Sequence, residues 1–370
     1  MKTLPLWYRV CWYILLLLVT AEVVAASVYG LARERFPASE SVMPPAFALT
    51  HLLPIGSGKA YHGAGGLNDR GQAVGATMIA GGTLRATLWA AGTASDLGTL
   101  GGPNSIARAT NNSGQIVGGA ATPAGMHAFL WEDGRMRDLG TLPGFTQSIA
   151  TGINENGEVI GRAYNASSKP YWTWPTIPFL WRQGRMTALP LPGRCFRAQA
   201  AAINDQGVIV GWGTDAVNNT IACYWKNGKA ISLAETLGRK QSSAVAINHR
   251  GQVAGTAGNS ERDMRAFVWQ NGKVQWLPML PYQTRARAAA IGEDGTVYCE
   301  ARIGGENLPA LVWHPGQAAP QDSIDCLPKD AEFFPGFVFG VNKRGQVLAF
   351  GYFARQPDQL ALLTPTKGVP

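Results

Sequence analysis

Five histidines, His51, His62, His127, His249 and His314, are the first candidates for acid–base or metal chemistry, and they stand at unlike positions along the chain. There is no Gly-x-Ser-x-Gly elbow, no His-Glu-x-x-His pair, no Gly-Lys-Ser/Thr phosphate loop and no Cys-x-x-Cys. Asp69, Glu155, Asp205 and Asp294 lie in short polar segments that end in Gly, where they read as turn formers. Calcium would need more oxygen ligands per loop than such a segment supplies. We therefore expect no metal and no cofactor.

Basic and aromatic side chains are the better candidates. Lys59, Arg108, Arg194, Arg197, Arg239, Lys240, Arg285 and Arg287 recur at related places, with few acidic neighbours, chiefly Glu235, Asp330 and Glu332. Tyr164, Tyr171, Trp172 and Trp174 crowd the stretch 162–178, and Trp212 follows at the corresponding place one repeat later. Guanidinium groups capture carboxylate or sulfate through paired hydrogen bonds, and aromatic faces stack on sugar rings. The expected ligand-binding set is Arg108, Arg197, Arg285, Arg287, Tyr164, Trp172, Trp174 and Trp212. A solvated charged rim with its aromatics packed inward is the competing reading. A catalytic alternative, a lyase or glycosidase acting on acidic polysaccharide, would draw on His62 and Tyr282 beside Arg108, Arg197 or Arg287. Its sign would be a His or carboxylate within hydrogen-bond reach of another titratable group at the channel mouth.

The elements that must position these residues come from a repeat. An apolar residue, Asn, two polar residues and Gly recur at Leu67–Gly71, Thr110–Gly114, Ile153–Gly157, Ile203–Gly207, Ile247–Gly251 and Val341–Gly345, and Ile291–Gly295 is a copy with Gly292 in place of Asn. The steps of 43, 43, 50, 44, 44 and 50 residues match four-stranded propeller blades. Between the copies runs an apolar segment ending in Trp, at Trp89, Trp131, Trp181, Trp225, Trp269 and Trp313, and then a short segment centred on a Leu. Asn-x-x-Gly between apolar runs predicts a tight hairpin whose last residue has positive φ. Alanine-rich segments before the Asn suit crowded innermost strands, and the Phe-Leu-Trp segments suit strands covered on both faces.

The fold class expected is therefore all-β, a seven-bladed propeller over residues 46–366 with the eight basic residues in its blade-to-blade loops. After Asn342 the chain has only a third-strand segment, Leu360–Thr364, and residues 47–53 read as a fourth strand. An N-terminal strand should complete the C-terminal blade, covering edges that an open array would expose. An open solenoid is the alternative.

These motifs carry a resemblance. His127-Ala128-Phe129-Leu130-Trp131 and Asp138-Leu139-Gly140-Thr141-Leu142, with the repeated Ile-Asn-x-x-Gly-x-Val-x-Gly, resemble the HAF-type extracellular repeat family over roughly residues 47–364. The resemblance implies an exported, propeller-like protein of undefined activity. Cys299 and Ala349, in place of the Gly that ends the second strand, and Gly292 depart from the pattern in the sixth and seventh repeats.

The first 26 residues read as an export signal: Lys2 and Arg9, an apolar run Cys11 to Val19, and Val24-Ala25-Ala26 as a cleavage site. An uncleaved anchor over 10–28, carrying Glu22, is the alternative. Residues 27–45 read as a linker. Cleavage would lower the formal charge from +8 to +7, since it removes Lys2, Arg9 and Glu22. This basic balance favours an anionic glycan or an envelope protein as partner, with no specific nucleic-acid recognition, and membrane contact only through an uncleaved N-terminus. The reading is of a monomer, secreted, periplasmic or in the cell envelope, and more binding module than enzyme. Cys195, Cys223, Cys299 and Cys326 are expected as buried thiols, because strands two apart lie beyond disulfide reach. With 46% hydrophobic and 15% charged residues, disorder is excluded. Asn111, Asn165 and Asn218 match the glycosylation sequon.

Overall fold

The structure is a computed structural model and describes residues 47–366, apart from 57, 61–64, 167–174, 281–282, 284, 304–305, 323–326, 328–332 and 354–355. Seven antiparallel sheets follow one another along the chain. Blades 1 to 6 occupy residues 59–96, 105–138, 147–188, 197–232, 241–276 and 285–322, and blade 7 joins 333–365 to the strand Phe47–Leu52. That strand pairs antiparallel with Gln356–Pro365, from Phe47 opposite Pro365 to Leu52 opposite Leu360, as the missing fourth strand requires. In blade 1 the first strand is split into Lys59–Ala60 and Gly66–Leu67, both paired with Ala73–Met78.

Hydrophobic burial is organised by seams and not by blades. Seven apolar clusters form, each from two neighbouring blades. Phe179 and Trp181 of blade 3 pack on Val117, Ala128 and Leu130 of blade 2, for example, and Leu52, Leu348 and Leu360 of blade 7 pack on Ala73 and Trp89 of blade 1. Strands with apolar residues on both faces are needed to supply both seams of a blade. The repeated Trp has a polar task as well. The indole N–H of Trp89 donates to the carbonyl of Leu53 at 2.6 Å, and that of Trp225 to Pro190 at 2.7 Å, tying a third strand to the exit of the preceding blade.

The motif Asn follows the same logic. Gly157, at φ +73°, closes its turn through Gly157 N–H to the Asn154 carbonyl at 3.1 Å, a conformation Gly adopts without strain. Asn154 Oδ1 then accepts the N–H groups of Asn156 and Glu158 at 3.1 and 2.9 Å, and its Nδ2 donates to Glu158 Oε2 at 2.8 Å and to the Asn204 carbonyl of blade 4 at 3.1 Å. Asn68, Asn111, Asn204, Asn248 and Asn342 likewise each send Nδ2 to the next blade, and Asn342 reaches Asn68 at 2.8 Å across the closure. These six asparagines are buried and form a relay of clasps around the axis. At Gly292 no clasp leaves for blade 7, and Asp294 takes over the local role by accepting Thr296 N–H at 2.9 Å. The sequence reading saw the turn in this motif and missed the clasp. Asn111, a sequon match, is buried with its amide engaged on blade 3.

First strands touch their counterparts in both adjacent blades and so line the axis. Blades 2 to 7 each have a bulge two residues before the strand's last residue, at Arg108, Thr151, Ala201, Val245, Ala289 and Phe339. The bulge explains the second-strand Gly. A Cβ on Gly118, Gly161 or Gly211 would run into the carbonyl oxygen of Ile106, Ile149 or Gln199. Blades 6 and 7, which carry Cys299 and Ala349 there, still form, and they alone among the described blades show further register shifts.

Cys195, Cys223 and Cys299 are buried free thiols, and Cys326 lies outside the described residues. Burial pushes the Cys299 thiol up to about 12 and raises those of Cys223 and Cys195, which suppresses the reactive thiolate. Among the described residues no helix is long and apolar enough to cross a membrane, and the segment 10–28 lies outside them.

Candidate functional site

Alternation of tight hairpins with longer loops gives the ring two unlike mouths. At the mouth framed by the Asn-x-x-Gly turns, the residues after each Asn face a cavity of about 160 Å³: Asp69, Asn112, Glu155, Asp205, His249, Glu293 and Lys343. Most of these side chains are structural. Glu155 accepts Asn112 N–H at 3.0 Å, Asp205 accepts Glu155 N–H at 3.0 Å, Glu293 accepts His249 N–H at 3.1 Å and Asp69 accepts Lys343 N–H at 2.7 Å. The Glu155 carboxyl is raised, first by burial and then by the charges of Asp205 and Asp69, against the lowering effects of Asn112 N–H and Lys343. This mouth is acidic because its carboxylates take the place of backbone acceptors between blades.

The opposite mouth is basic, and the structure moves the predicted residues from loops to walls. Arg108 is the bulged residue of the first strand Ser105–Thr110. Arg197 opens the first strand Arg197–Ile203, and Arg285 and Arg287 lie on Arg285–Ile291, while Lys59 lies on the two-residue strand Lys59–Ala60. The first strands begin about six residues before the motif Asn, so they absorb segments that composition alone assigned to connections. Arg194, Arg239 and Lys240 do stand in the connections. Trp212 lies on the second strand Ile209–Thr214, half-buried opposite Gln199, and not in a loop.

Blades 2, 3 and 4 meet at one place on this wall. Arg162, on Val159–Tyr164, donates through Nη1 to Gln199 Oε1 of blade 4 at 2.6 Å, and its guanidinium lies 5.8 Å from the Tyr164 ring. Burial raises the Tyr164 phenol, while the charges of Arg162 and Arg108 oppose the rise, so Arg108 of blade 2 is felt at a tyrosine of blade 3. Arg197 lies over the Phe196 ring at 5.4 Å and forms no ion pair among the described residues. Trp172, Trp174, Tyr171, His62, Tyr282, Asp330 and Glu332 lie outside the described residues.

Across the mouth the second arginine pair is engaged. Glu261, in the second-to-third-strand loop of blade 5, binds Arg285 Nη1 at 3.1 Å and Arg287 Nη2 at 2.6 Å through the same carboxylate oxygen. Sequence reasoning missed Glu261. Ser260-Glu261-Arg262-Asp263 lies in a loop of the basic face, but nothing in that segment marks the two arginines that the next blade brings to it. The pair is solvent-exposed on the carboxylate side, so Glu261→Gln should change the unfolding free energy by less than about 1 kcal/mol. It should lengthen retention on a heparin column in low salt by removing the carboxylate charge that offsets Arg285 and Arg287. Unchanged or shorter retention would show that Arg285 and Arg287 face away from bound polyanion.

Histidine contacts lie on other strands and turns: His127, opposite Ala120, is level with Ser105 at the start of the first strand of blade 2 and two strands outward from it. His127 Nδ1 meets Asp138 Oδ2 at 2.8 Å on the third and fourth strands of blade 2, and His249 lies 3.8 Å from Asp205 at the acidic mouth. His314 Nδ1 meets Thr296 Oγ1 at 2.9 Å, with Thr296 on Asp294 at 2.7 Å, beside the blade 6 turn. Burial lowers the His314 pKa, and the nearby Asp294 opposes the fall. No group of three or more His, Cys, Asp or Glu among the described residues is placed to hold a metal ion.

No protein family and no curated protein matches the chain. Solved structures do. A puromycin-hydrolyzing peptidase of Mycobacterium tuberculosis superposes with a TM-score of 0.59 at 12% identity, covering 89% of this chain and 56% of the peptidase. The β-propeller domain of the Trilobed protease from Pyrococcus furiosus, described as having an open velcro topology, gives 0.52 at 11% identity over 82% of this chain and 94% of the domain. YCF48 bound to D1 peptide gives 0.52 at 11% identity over 90% and 99%. At such identities the likeness is one of fold, and the chain spans little more than half the length of the first of these.

Proposed function

We propose that this protein is an exported binding propeller that holds an anionic ligand, an acidic glycan or the acidic segment of an envelope protein, at its basic mouth. The observation that carries the reading is the meeting of Arg108 and Arg162, from successive blades, at Tyr164, with Gln199 and Trp212 of the next blade beside Arg162 and Arg197 opening the strand that carries Gln199. Guanidinium groups on a rigid wall, with aromatic faces beside them, lose little entropy when they engage carboxylates or sulfates. Export rests on the N-terminal signal and on the resemblance to HAF-type repeats. YCF48, of the same fold, has been solved with a peptide bound, which supports a peptide as one ligand class for such a ring. The enzymatic alternative depends on His62 and Tyr282, which lie outside the described residues.

Arg108→Ala combined with Arg197→Ala should cut retention on an acidic-polysaccharide column at low salt and flatten its dependence on salt concentration, since each lost ion contact removes part of the electrostatic attraction. A loss of about tenfold in affinity, at about 1.4 kcal/mol, is expected. Retention and salt slope identical to those of the parent would end the reading.

A further inference from the structure

Of the large apolar side chains that stand out in solvent among the described residues, Leu53, Met78, Phe196, Val217 and Ile231, two belong to one hydrogen-bonded loop pair at the basic mouth. Phe196 N–H donates to the Thr214 carbonyl at 3.0 Å, and Val217 follows in the turn that starts at the next residue, Asp215. Phe196 is 45% exposed and Val217 75% exposed, the largest value of the five.

Val217 is presented rigidly. The buried Asp215 carboxylate accepts Val217 N–H at 3.0 Å and Asn219 N–H at 2.8 Å through Oδ1, and Asn219 Nδ2 at 3.1 Å through Oδ2. Asn218 holds φ +63°, and Asn218 N–H returns to the Asp215 carbonyl at 3.0 Å. Four hydrogen bonds thus fix a turn whose tip is an aliphatic side chain in water, and ordering that tip adds little to the entropy of binding. Arg194 and Arg197 flank Phe196 in sequence, and the Arg197 guanidinium covers its ring. Phe and Val are poor platforms for sugar rings compared with Trp or Tyr, which combine a face with a polar edge. They are good sockets for apolar side chains. Cations beside exposed apolar groups therefore complement carboxylates interleaved with apolar residues, a combination that a polyuronate lacks.

We infer that the rim of blade 4, formed by Phe196 and Val217 between Arg194 and Arg197, docks an acidic peptide segment of a protein partner whose apolar side chains alternate with carboxylates. This rests on the anionic-ligand reading above and narrows it to one class. The test is fluorescence anisotropy on the full exported body with three labelled probes: an octapeptide alternating glutamate with leucine, an octaglutamate and an oligogalacturonate of eight units. The alternating peptide should bind about tenfold more tightly than either charge-only probe, the worth of burying about one apolar side chain. Phe196→Ser with Val217→Ser should erase that tenfold advantage and leave the two charge-only probes unchanged, with an unaltered melting temperature as the control for folding. Arg197→Ala should weaken all three. Equal affinity for the three probes, or an insensitive Phe196/Val217 variant, overturns the peptide assignment while the anionic reading survives. Failure of every probe to bind overturns both.

Discussion

A chain that starts at Leu53 will not hold the ring closed. Removing Phe47–Leu52 strips blade 7 of its fourth strand, with about six backbone hydrogen bonds at about 1 kcal/mol each and two buried anchors, Phe47 and Leu52, at about 2 kcal/mol each. That sum approaches the entire stability of an ordinary domain. Leu52 also packs in the seam between blades 7 and 1, so the loss reaches two seams of the ring. The truncated protein should lose cooperative thermal unfolding, or melt more than about 10 °C lower, and it should associate through the bared edge of Gln356–Pro365. A permutant carrying residues 46–53 after residue 366 restores the strand from the other end and should recover the parent transition. A truncated protein that melts with the parent would show that closure adds nothing.

The second large effect is expected at a clasp. Asn154→Ala removes all four hydrogen bonds of one buried amide: two accepted from N–H groups of its own turn, one donated to the Glu158 carboxylate and one donated to blade 4. The N–H groups of Asn156 and Glu158 lose their Asn154 acceptor, and the Asn204 carbonyl keeps only the Gly207 N–H. An unfolding free energy lower by about 3 kcal/mol follows from the cost of abandoned buried groups, read as a shift in denaturant midpoint at unchanged slope. A single bond of ordinary worth would be about 1 kcal/mol, so the size of the loss distinguishes a clasp from a simple turn former. Blade 6 shows how the cost is avoided, because Asp294 serves the turn there and no amide awaits a partner. A loss below about 1 kcal/mol would return Asn154 to the role its sequence suggested.

Much of the fold was legible because its determinants are local and repeated. Asn-x-x-Gly specifies a turn, its six occurrences and the Gly292 variant at near-constant spacing specify the blades, and Phe47–Leu52 matched the one strand the count lacked. What stayed hidden depends on neighbours distant in sequence. The hydrogen bond that each motif Asn sends to the next blade goes to a residue 43 to 50 positions away, or 274 for Asn342 across the closure, and nothing in the motif itself marks it. Arg108 and Arg197 look like loop residues because Arg is usual in loops, yet a bulged strand carries one and a strand start the other. Glu261 was passed over because its importance arises only from the two arginines that the next blade brings to it. The candidate site was thus legible as a composition of side chains at one mouth, and its division into an arginine cluster and a paired one was not.

Phe47 lies directly beside Pro365, so the polypeptide leaves the closing seam in two directions from the same point. Tension applied between the two tails would load the rungs of that ladder one after another, as a zip is opened, and never all together in shear. A ring that resists heat through seven equivalent seams is thereby weakest to force at a single site, and a pull from either tail would turn a closed circle into an open arc.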